Sequence, residues 1–415
     1  MIDTKEKLEQ VALVGVETAE NTSSFDLSMD ELSSLAETAG VRVVSRFEQG
    51  RPSFDSKYLV GKGKLEEVKR AVDESDLDTV IFNERLTPRQ NINLENYLGV
   101  KVIDRMQLIL DIFAMRARSH EGMLQVELAQ LKYLLPRLTG QGIALSRQAG
   151  GIGSRGPGES QLEMNRRHIR TRIENIEKSL KKMEKTRENL RKKRKKSGVY
   201  RIGLIGYTNA GKSSLFNALT HKIQYEENEL FATLDATTKD FSLQDNFKVT
   251  LTDTVGFIQD LPTELISAFK STLEESSDVD LLIQVIDASN EGHEVHEEVV
   301  KKIMEDLDMT GIPLINIYNK ADLVDDNFTP TIYPNSLLSI KETTGVEEVK
   351  KLILEKLKEI FSSFTICLPY EEGHKLVEIQ QTTLIDQLIE GESGYEIHGY
   401  IDPKMEWRLE NYEHI

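Results

Sequence analysis

The sequence predicts a multidomain α/β protein, and three observations support that fold class. Short apolar strands alternate with helices over residues 1–118, a hydrophobic repeat of helical period runs through 119–197, and a glycine-rich loop at 206–213 separates a buried strand from a helix. With 415 residues, 39% of them hydrophobic, the chain is long enough for two to four domains with buried cores. We predict an N-terminal α/β domain, a long antiparallel helical hairpin, a domain with a doubly wound, mostly parallel sheet, and a small α+β domain. Their predicted bounds are 1–118, 119–197, 198–363 and 364–415.

The N-terminal domain is predicted from four apolar strands separated by capped helices. Ser28 to Glu31 and Thr87 to Gln90 both have the spacing of a capping box at a helix start. The sequence Tyr58-Leu-Val-Gly-Lys-Gly-Lys64 resembles a phosphate-binding loop but falls short of the full pattern. A turn that opens a helix over 65–73 is the favoured interpretation, and a second nucleotide site remains the alternative. The predicted strands are 11–16, 41–47, 79–82 and 100–103.

The helical hairpin is predicted from two apolar stripes. One stripe fills the a and d positions of a heptad, which predicts one long helix, and a shorter leucine stripe precedes it. The joining segment, 139–160, has seven glycines in 22 residues, so we predict a long loop that is either functional or disordered. The long stripe contains Leu162, Ile169, Ile173, Ile176, Leu180, Met183 and Leu190, with Arg166 and Arg187 at its two other positions. The short stripe contains Leu124, Leu128, Leu131, Leu135 and Leu138.

The charge of the chain is unevenly distributed. The formal net charge is −17, yet residues 161–200 hold 15 Lys or Arg against 5 Asp or Glu. A basic segment of this kind on an otherwise acidic chain is expected to bind the phosphates of a folded RNA. The alternative is a solvated helix end, which is the usual interpretation of an isolated basic run. The basic side chains predicted to contact RNA are Arg147, Arg155, Arg191, Lys192, Lys193, Arg194, Lys195 and Lys196.

The loop at 206–213 fits the phosphate-binding pattern G-x-x-x-x-G-K-[ST], between a predicted strand at 199–205 and a predicted helix at 213–220. Backbone amides at such a helix N-terminus bind phosphate oxygens. Lys212 is expected to reach the β and γ phosphates, and the Ser213 hydroxyl to bind magnesium. The predicted nucleotide contacts here are Gly206, Tyr207, Thr208, Asn209, Ala210, Gly211, Lys212 and Ser213.

A second motif selects the base. Asn319-Lys320-Ala321-Asp322 follows a predicted strand, 107 residues after Lys212. The Asp322 carboxylate can accept two hydrogen bonds from guanine, whereas adenine would leave it unpaired. The nucleotide is therefore predicted to be GTP or GDP. Ser339, Ile340 and Lys341 have the position of the loop that backs the base.

Two segments are predicted to sense the γ phosphate. Asp253 is expected to hold magnesium through water, and the Gly256 amide to donate to the γ phosphate, with Thr254 and Val255 between them. The other segment is Phe231-Ala232-Thr233-Leu234-Asp235, in which the Thr233 hydroxyl would complete the magnesium shell, with Thr237 as the alternative. The residues predicted to act on the reacting phosphate are Lys212, Thr233 and Gly256.

Phe257 stands where the simplest signalling GTPases carry a glutamine that orients the attacking water. An apolar ring cannot do that, so we predict slow intrinsic hydrolysis that a partner accelerates. The alternative is that Phe257 only packs and another residue performs the chemistry.

Cys367, the single cysteine, permits neither an internal disulfide nor a cysteine metal cluster. The first residues lack an apolar signal region, and no apolar run has the length of a membrane span. We therefore expect a cytoplasmic monomer, with any membrane association peripheral.

Three stretches of this sequence are similar to signatures of HflX-type GTPases, in the translation-factor-related class. They are Gly122-Met-Leu-Gln-Val-Glu-Leu-Ala-Gln-Leu, Gly151-Ile-Gly-Ser-Arg-Gly-Pro-Gly-Glu-Ser-Gln-Leu-Glu and Phe231-Ala-Thr-Leu-Asp. The resemblance covers nearly the whole chain and is least secure after Phe364. Met164-Asn165 and Ala236 depart from the usual residues without removing a predicted phosphate or magnesium contact.

The resemblance implies a magnesium-dependent GTPase that binds the large ribosomal subunit, with the N-terminal domain and hairpin against ribosomal RNA. It also implies hydrolysis stimulated by ribosomal particles and the splitting of stalled or stress-inactivated ribosomes. Some members hydrolyse ATP through the N-terminal domain. Ribosome assembly or subunit storage, a protein-regulating switch without RNA, and an ATP-driven RNA-remodelling enzyme remain as alternatives.

Overall fold

The structure is a computed structural model that describes residues 8–146, 157–195, 198–220, 230–231, 237–244, 247–254, 256–259, 278–325, 327–410 and 412–414. The chain divides into two compact units. Unit 1 contains Met1–Met183, Glu229–Leu234 and Gln259–Lys270, and unit 2 contains Glu184–Asn228, Asp235–Ile258 and Ser271–Ile415.

A four-stranded parallel sheet forms the centre of the N-terminal domain, in the order β2-β1-β3-β4. Helices α2 and α3 cover one face, where Leu65, Val68 and Leu94 pack on Val14 and Val80. Each predicted strand is present, with bounds shifted by three residues or fewer. The elements are β1 (Gln10–Glu17), α1 (Phe25–Thr38), β2 (Arg42–Gly50), α2 (Lys62–Ser75), β3 (Thr79–Phe82), α3 (Pro88–Leu98), β4 (Lys101–Asp104) and α4 (Arg105–Arg116).

Of the two predicted capping boxes, one is present and one is wrong. Thr87 Oγ1 accepts from the Gln90 amide at 3.2 Å, and Gln90 Oε1 accepts from the Thr87 amide at 3.0 Å. Ser28, in contrast, lies inside α1 and is buried. Its hydroxyl is 3.3 Å from both Asn83 Oδ1 and Arg105 Nη1, so tertiary partners occupy the group that was predicted to cap a helix.

The segment from Tyr58 to Lys64 is a turn. Leu59 and Val60 are buried, and Gly61 is the N-cap of α2, with its amide donating to Gln49 Oε1 at 2.8 Å. This loop buries two apolar side chains and caps a helix, which favours the turn interpretation of the sequence.

Two long helices, α5 (His120–Ser146) and α6 (Pro157–Lys195), follow. Ion pairs join Glu127 to Arg172 at 2.6 Å and Lys132 to Glu177 at 2.9 Å. Between 163 and 187, the side chains of α6 that are not exposed are those at the predicted a and d positions. Helix also occupies 139–146 and 157–160, which were predicted as loop, because extending an existing helix costs far less than starting one.

The most buried face of α5 differs from the predicted leucine stripe. Gln125, Val126, Ala129 and Tyr133 are buried there, while most of the stripe is only partly covered. The Asp104 carboxylate explains this, because it is fully buried and accepts from Tyr133 Oη at 2.6 Å and from Arg137, also on α5, at 2.8 Å. A buried carboxylate requires such partners, so this face of α5 is turned toward the N-terminal domain.

The phosphate-loop domain has a six-stranded sheet in the order β10-β9-β8-β5-β7-β6, parallel except for β6. Strand order reverses at β5, whose neighbours are β8 and β7, and ligands bind at the carboxyl ends of strands at such a point. The elements are β5 (Tyr200–Gly206), α7 (Lys212–Thr220), β6 (Thr237–Gln244), β7 (Phe247–Asp253), β8 (Leu281–Asp287), α8 (His293–Asp306), β9 (Leu314–Asn319), β10 (Ser336–Leu337) and α9 (Thr343–Ile360).

The C-terminal domain is an antiparallel sheet, in the order β12-β13-β11-β14, with one helix. This agrees with the small α+β domain that the sequence predicts for the end of the chain. In the described part of the chain, no helix has the length and apolar character of a membrane span. The elements are β11 (Ser362–Pro369), α10 (Leu376–Thr382), β12 (Leu384–Glu390), β13 (Gly394–Ile401) and β14 (Glu413–His414).

Candidate functional site

The phosphate loop lies between β5 and α7, as the sequence predicts, and its glycines are required by close contacts. A Cβ on Gly206 would lie 2.2 Å from the Val285 carbonyl oxygen, and one on Gly211 would lie 2.2 Å from Asn319 Nδ2. Both glycines have φ angles in the left-handed range, +151° and +102°. The loop therefore keeps its shape only with glycine at these positions.

Lys212 and Ser213 lie at the start of α7. Lys212 is buried, and its Nζ donates to the Tyr207 carbonyl oxygen at 2.5 Å. Burial lowers the pKa of Lys212 to about 8, and the nearby Asp253 carboxylate opposes part of that shift. Ser213 Oγ donates to Asp253 Oδ2 at 2.8 Å. A hydroxyl and a carboxylate are hard oxygen donors, so this pair suits Mg²⁺.

The surroundings of Thr208 fit a phosphate. Thr208 Oγ1 is buried and has no hydrogen-bond partner among the described residues. This is expected for a hydroxyl whose hydrogen-bond partner is a bound ligand. A Cβ on Gly256 would lie 2.9 Å from Thr208 Cα and 3.1 Å from Lys212 Nζ. The backbone of Gly256 therefore approaches the phosphate loop as the predicted γ-phosphate contact requires, and Thr254 beside it donates to the Leu204 carbonyl oxygen at 2.6 Å.

The predicted base-binding segments are held against the phosphate loop. Asn319 Nδ2 donates to the Ala210 carbonyl oxygen at 2.9 Å, and Asn319 Oδ1 accepts from the Ile340 amide at 3.0 Å. Lys320 has a left-handed φ of +67°, and its Nζ lies 2.5 Å from Asp287 Oδ2. Asn319 thus fixes the distance between the phosphate loop and the loop that backs the base.

The Asp322 carboxylate is exposed, as a group that meets a ligand must be. Its Oδ1 accepts from Ser339 Oγ at 2.7 Å, and this hydrogen bond is the main reason that the pKa of Asp322 is lowered. Ala321 donates its amide to the Leu338 carbonyl oxygen at 3.2 Å, and Lys341 is exposed nearby and lowers the same pKa. The carboxylate is therefore ionised and oriented.

Phe257 is 1% exposed, and its backbone forms a bridge with Tyr207. Its amide donates to the Gly206 carbonyl oxygen at 3.2 Å, and its carbonyl accepts from the Thr208 amide at 2.8 Å. The ring is packed away from solvent, which favours the interpretation that Phe257 joins the segment after Asp253 to the phosphate loop.

The first switch is only partly described. Phe231, a predicted nucleotide contact, belongs to unit 1, where it is 2% exposed and packs edge-to-face on Phe113 with 4.6 Å between ring centroids. The neighbouring Leu230 amide donates to Thr38 Oγ1 at 3.2 Å. The nucleotide contact of Phe231 stays a prediction. The predicted residues Ala232, Thr233, Leu234, Asp235 and Val255 lie outside the described residues.

The predicted RNA contacts are described in part. Arg191 to Lys195 belong to the last turns of α6, with their backbone described and their side chains not. Arg147, Arg155 and Lys196 lie outside the described residues. Their roles stay predictions.

His296, on α8, contacts the phosphate loop although no sequence pattern indicated it. Its ring stacks on Tyr207, with 3.6 Å between centroids and 9° between planes. Burial lowers the pKa of His296 to about 4; Asp287 opposes the shift and His293 adds to it. The ring is therefore neutral at pH 7.

This stack makes the stability of the fold pH-dependent. Between pH 6.5 and about 4, the unfolded chain binds a proton at His296 that the folded chain does not, so the free energy of unfolding falls as pH falls through this window. At pH 5 we expect a loss of about 2 kcal/mol, or roughly 4–8 °C in melting temperature. His296→Phe keeps a ring on Tyr207 but cannot titrate, so its melting temperature should fall less between pH 7.5 and pH 5. Equal falls for both proteins would show that His296 does not titrate in this way.

The chain is similar to known proteins over nearly all of its length. Family models described as "GTP-binding GTPase N-terminal", "GTP-binding GTPase Middle Region" and "50S ribosome-binding GTPase" match residues 26–114, 116–194 and 201–320. "GTPase HflX" of Alkalihalophilus pseudofirmus is 48% identical over 96% of both chains, and "GTPase HflX" of Escherichia coli is 40% identical over 98% of this chain and 97% of its own. A GTP-binding protein from Sulfolobus solfataricus, solved with GDP, is 26% identical with a TM-score of 0.45, over 85% of this chain and 99% of its own.

The fold and the site together define a P-loop GTPase. Within that class the chain belongs to the HflX GTPase family, since its identity to those proteins extends over nearly the full length.

Proposed function

We propose that this protein hydrolyses GTP with Mg²⁺ while bound to the large ribosomal subunit, and that it thereby splits or recycles stalled or stress-inactivated ribosomes. The observation that carries the GTPase part is the bracing of the phosphate loop by Asn319, which also holds Ile340. Lys212 would bind the β and γ phosphates, and Ser213 and Asp253 would hold the metal. Mg²⁺ supplies charge neutralisation at the phosphates when bound.

The ribosomal part rests on the family and on the arm formed by α5 and α6. The "50S ribosome-binding GTPase" model matches 201–320, and a relative named GTPase HflX matches 96% of the chain. The net charge of +10 over 161–200 suits a phosphate backbone, whereas the rest of the chain is acidic. The arm would carry the RNA contacts and the nucleotide state would set their strength.

Co-sedimentation with purified large subunits tests the ribosomal part. The full-length protein with a non-hydrolysable GTP analogue should pellet with large subunits at least about tenfold more tightly than the nucleotide-free protein, because ordered switches favour the bound state. Equal pelleting in the two states would contradict the proposal.

Substitution of basic side chains at the end of α6 gives a second test of the same proposal. Replacing Arg191, Lys192 and Lys193 with glutamine should lower the slope of the log binding constant against log salt concentration by about two. Fewer phosphate contacts release fewer counterions on binding. The matched control replaces Lys178, Lys181 and Lys182, which are exposed on the same helix. If both triple variants lose the same affinity, the RNA contact is not at the end of α6.

A second site for ATP in the N-terminal domain is favoured by the topology of its sheet. In the order β2-β1-β3-β4, the connection from β1 leads to β2 on one side of the sheet, and the connection from β3 leads to β4 on the other side. Such a reversal places a crevice at the carboxyl ends of β1 and β3. Glu84 follows β3 there, accepts from the Val16 amide at 2.9 Å, and has its pKa raised to about 7 by burial. We infer weak ATP binding and hydrolysis at this crevice, which ATP turnover by the Lys212→Ala variant tests.

A further inference from the structure

The C-terminal domain has a groove of 580 Å³ that the GTPase chemistry does not use. One wall is the first half of β11, residues 362–365, and the other wall carries Glu406, Leu409 and Glu410. Phe364, Ile401 and Leu409 contribute apolar side chains to its lining and are at most 8% exposed, while Ser362, Ser363, Glu406 and Glu410 contribute polar ones.

The wall formed by β11 is an open edge of the sheet. Strand β13 pairs with all eight residues of β11, whereas β14 pairs only with Ile366 and Cys367. Among the described residues, 362–365 therefore have a strand on one side and the groove on the other. Backbone N–H and C=O groups alternate between the two sides of a strand, so this edge presents unsatisfied groups with which an extended segment can pair.

The groove carries negative charge, which favours a cationic ligand. Neither the Glu406 nor the Glu410 carboxylate has a hydrogen bond or an ion pair with another described residue. The surrounding domain, residues 361–415, has 3 Lys or Arg against 11 Asp or Glu. A nucleic acid would be repelled from such a surface, whereas lysine or arginine side chains would be attracted.

We propose that this groove binds an extended, lysine- or arginine-rich segment of another protein. The segment adds as a strand to the edge of 362–365, and its cationic side chains meet Glu406 and Glu410. Side chains of an added strand alternate between its two faces, so basic residues at every second position place their charges on one side. Main-chain hydrogen bonds give affinity, and the two carboxylates give selectivity for a basic sequence.

Trp407 is adjacent in the chain to the wall residue Glu406 and can report on binding in this groove. It is the single tryptophan of the chain, it is 56% exposed, and it lies between the wall residues Glu406 and Leu409. A ligand in the groove should therefore change the tryptophan fluorescence of the full-length protein without any label.

The probe is an acetylated seven-residue peptide that alternates lysine and valine. Saturable binding followed through Trp407 is expected, and the same peptide with every second residue in the D configuration should bind at least about tenfold more weakly, since it cannot form a regular strand. The two peptides have the same composition and charge. Equal affinities would overturn strand addition, and single-stranded RNA that displaces the bound peptide in competition would overturn the choice of ligand.

A pair of double variants separates this groove from general attraction to an acidic protein. Glu406→Gln with Glu410→Gln should weaken binding of the lysine–valine peptide about tenfold. Glu390→Gln with Glu392→Gln removes the same charge from exposed residues at the β12–β13 hairpin and should change the affinity less than about twofold. Equal losses in the two double variants would overturn the site, and the melting temperature of each shows that it is folded.

Discussion

Asp322→Asn is expected to weaken GTP binding by about 100-fold and to make the xanthine nucleotide the preferred ligand. The carboxylate accepts two hydrogen bonds from guanine, and losing them costs roughly 3 kcal/mol, since hydrogen bonds to charged groups contribute about 1.5–3 kcal/mol each. An asparagine amide donates where the carboxylate accepts, and xanthine has a carbonyl in place of the exocyclic amine. The Ser339 hydroxyl, 2.7 Å from Asp322 Oδ1, can hold the amide in the same orientation.

Fluorescent GTP and XTP analogues measure the two affinities directly. Asp325→Asn is the matched control, because this aspartate is also exposed and lies three residues later. The control should bind GTP like the parent protein. An unchanged preference for GTP in Asp322→Asn would place base recognition on another residue.

The phosphate loop could be predicted because all of its determinants are close together in the sequence. A buried strand, two glycines and a following helix are enough to specify the turn, and Gly206 and Gly211 have the left-handed φ angles that this turn requires. The same holds for α6, whose heptad pattern matches the least exposed positions of the helix.

Contacts between residues far apart in the chain could not be predicted. His296 stacks on Tyr207 and Phe231 packs on Phe113, and no local pattern joins either pair. Such contacts depend on how helices pack on a sheet, which a single sequence does not specify.

The most buried face of α5 was not predicted from the sequence, for a related reason. Its leucine stripe follows the apolar pattern, but Tyr133 and Arg137 bond to the buried Asp104, 29 and 33 residues earlier. Leaving a buried carboxylate without partners would cost several kcal/mol, more than the partial exposure of a few leucines. Polar pairing therefore overrides hydrophobic periodicity at this helix.

Replacing Lys212 by alanine is expected to reduce GTP turnover by about 100- to 1,000-fold, the size of effect that follows loss of one preorganised donor to the charge that develops in a transition state. Lys212 is buried, and its Nζ lies 2.5 Å from the Tyr207 carbonyl oxygen, so its charge is held beside the phosphate loop. The measurement is phosphate release with GTP and Mg²⁺. Lys302→Ala, which removes an exposed lysine on α8, is the control and should leave turnover unchanged.

The same variant separates the two nucleotide sites. If the crevice beside Glu84 binds and hydrolyses ATP, ATP turnover should persist in Lys212→Ala when GTP turnover is lost, because the N-terminal sheet has its own strands and its own core. Parallel loss of both activities would mean that ATP is hydrolysed only at the phosphate loop. GTP turnover that survives the substitution would instead contradict the role of Lys212, whose buried amine lies 2.5 Å from the Tyr207 carbonyl oxygen of the phosphate loop.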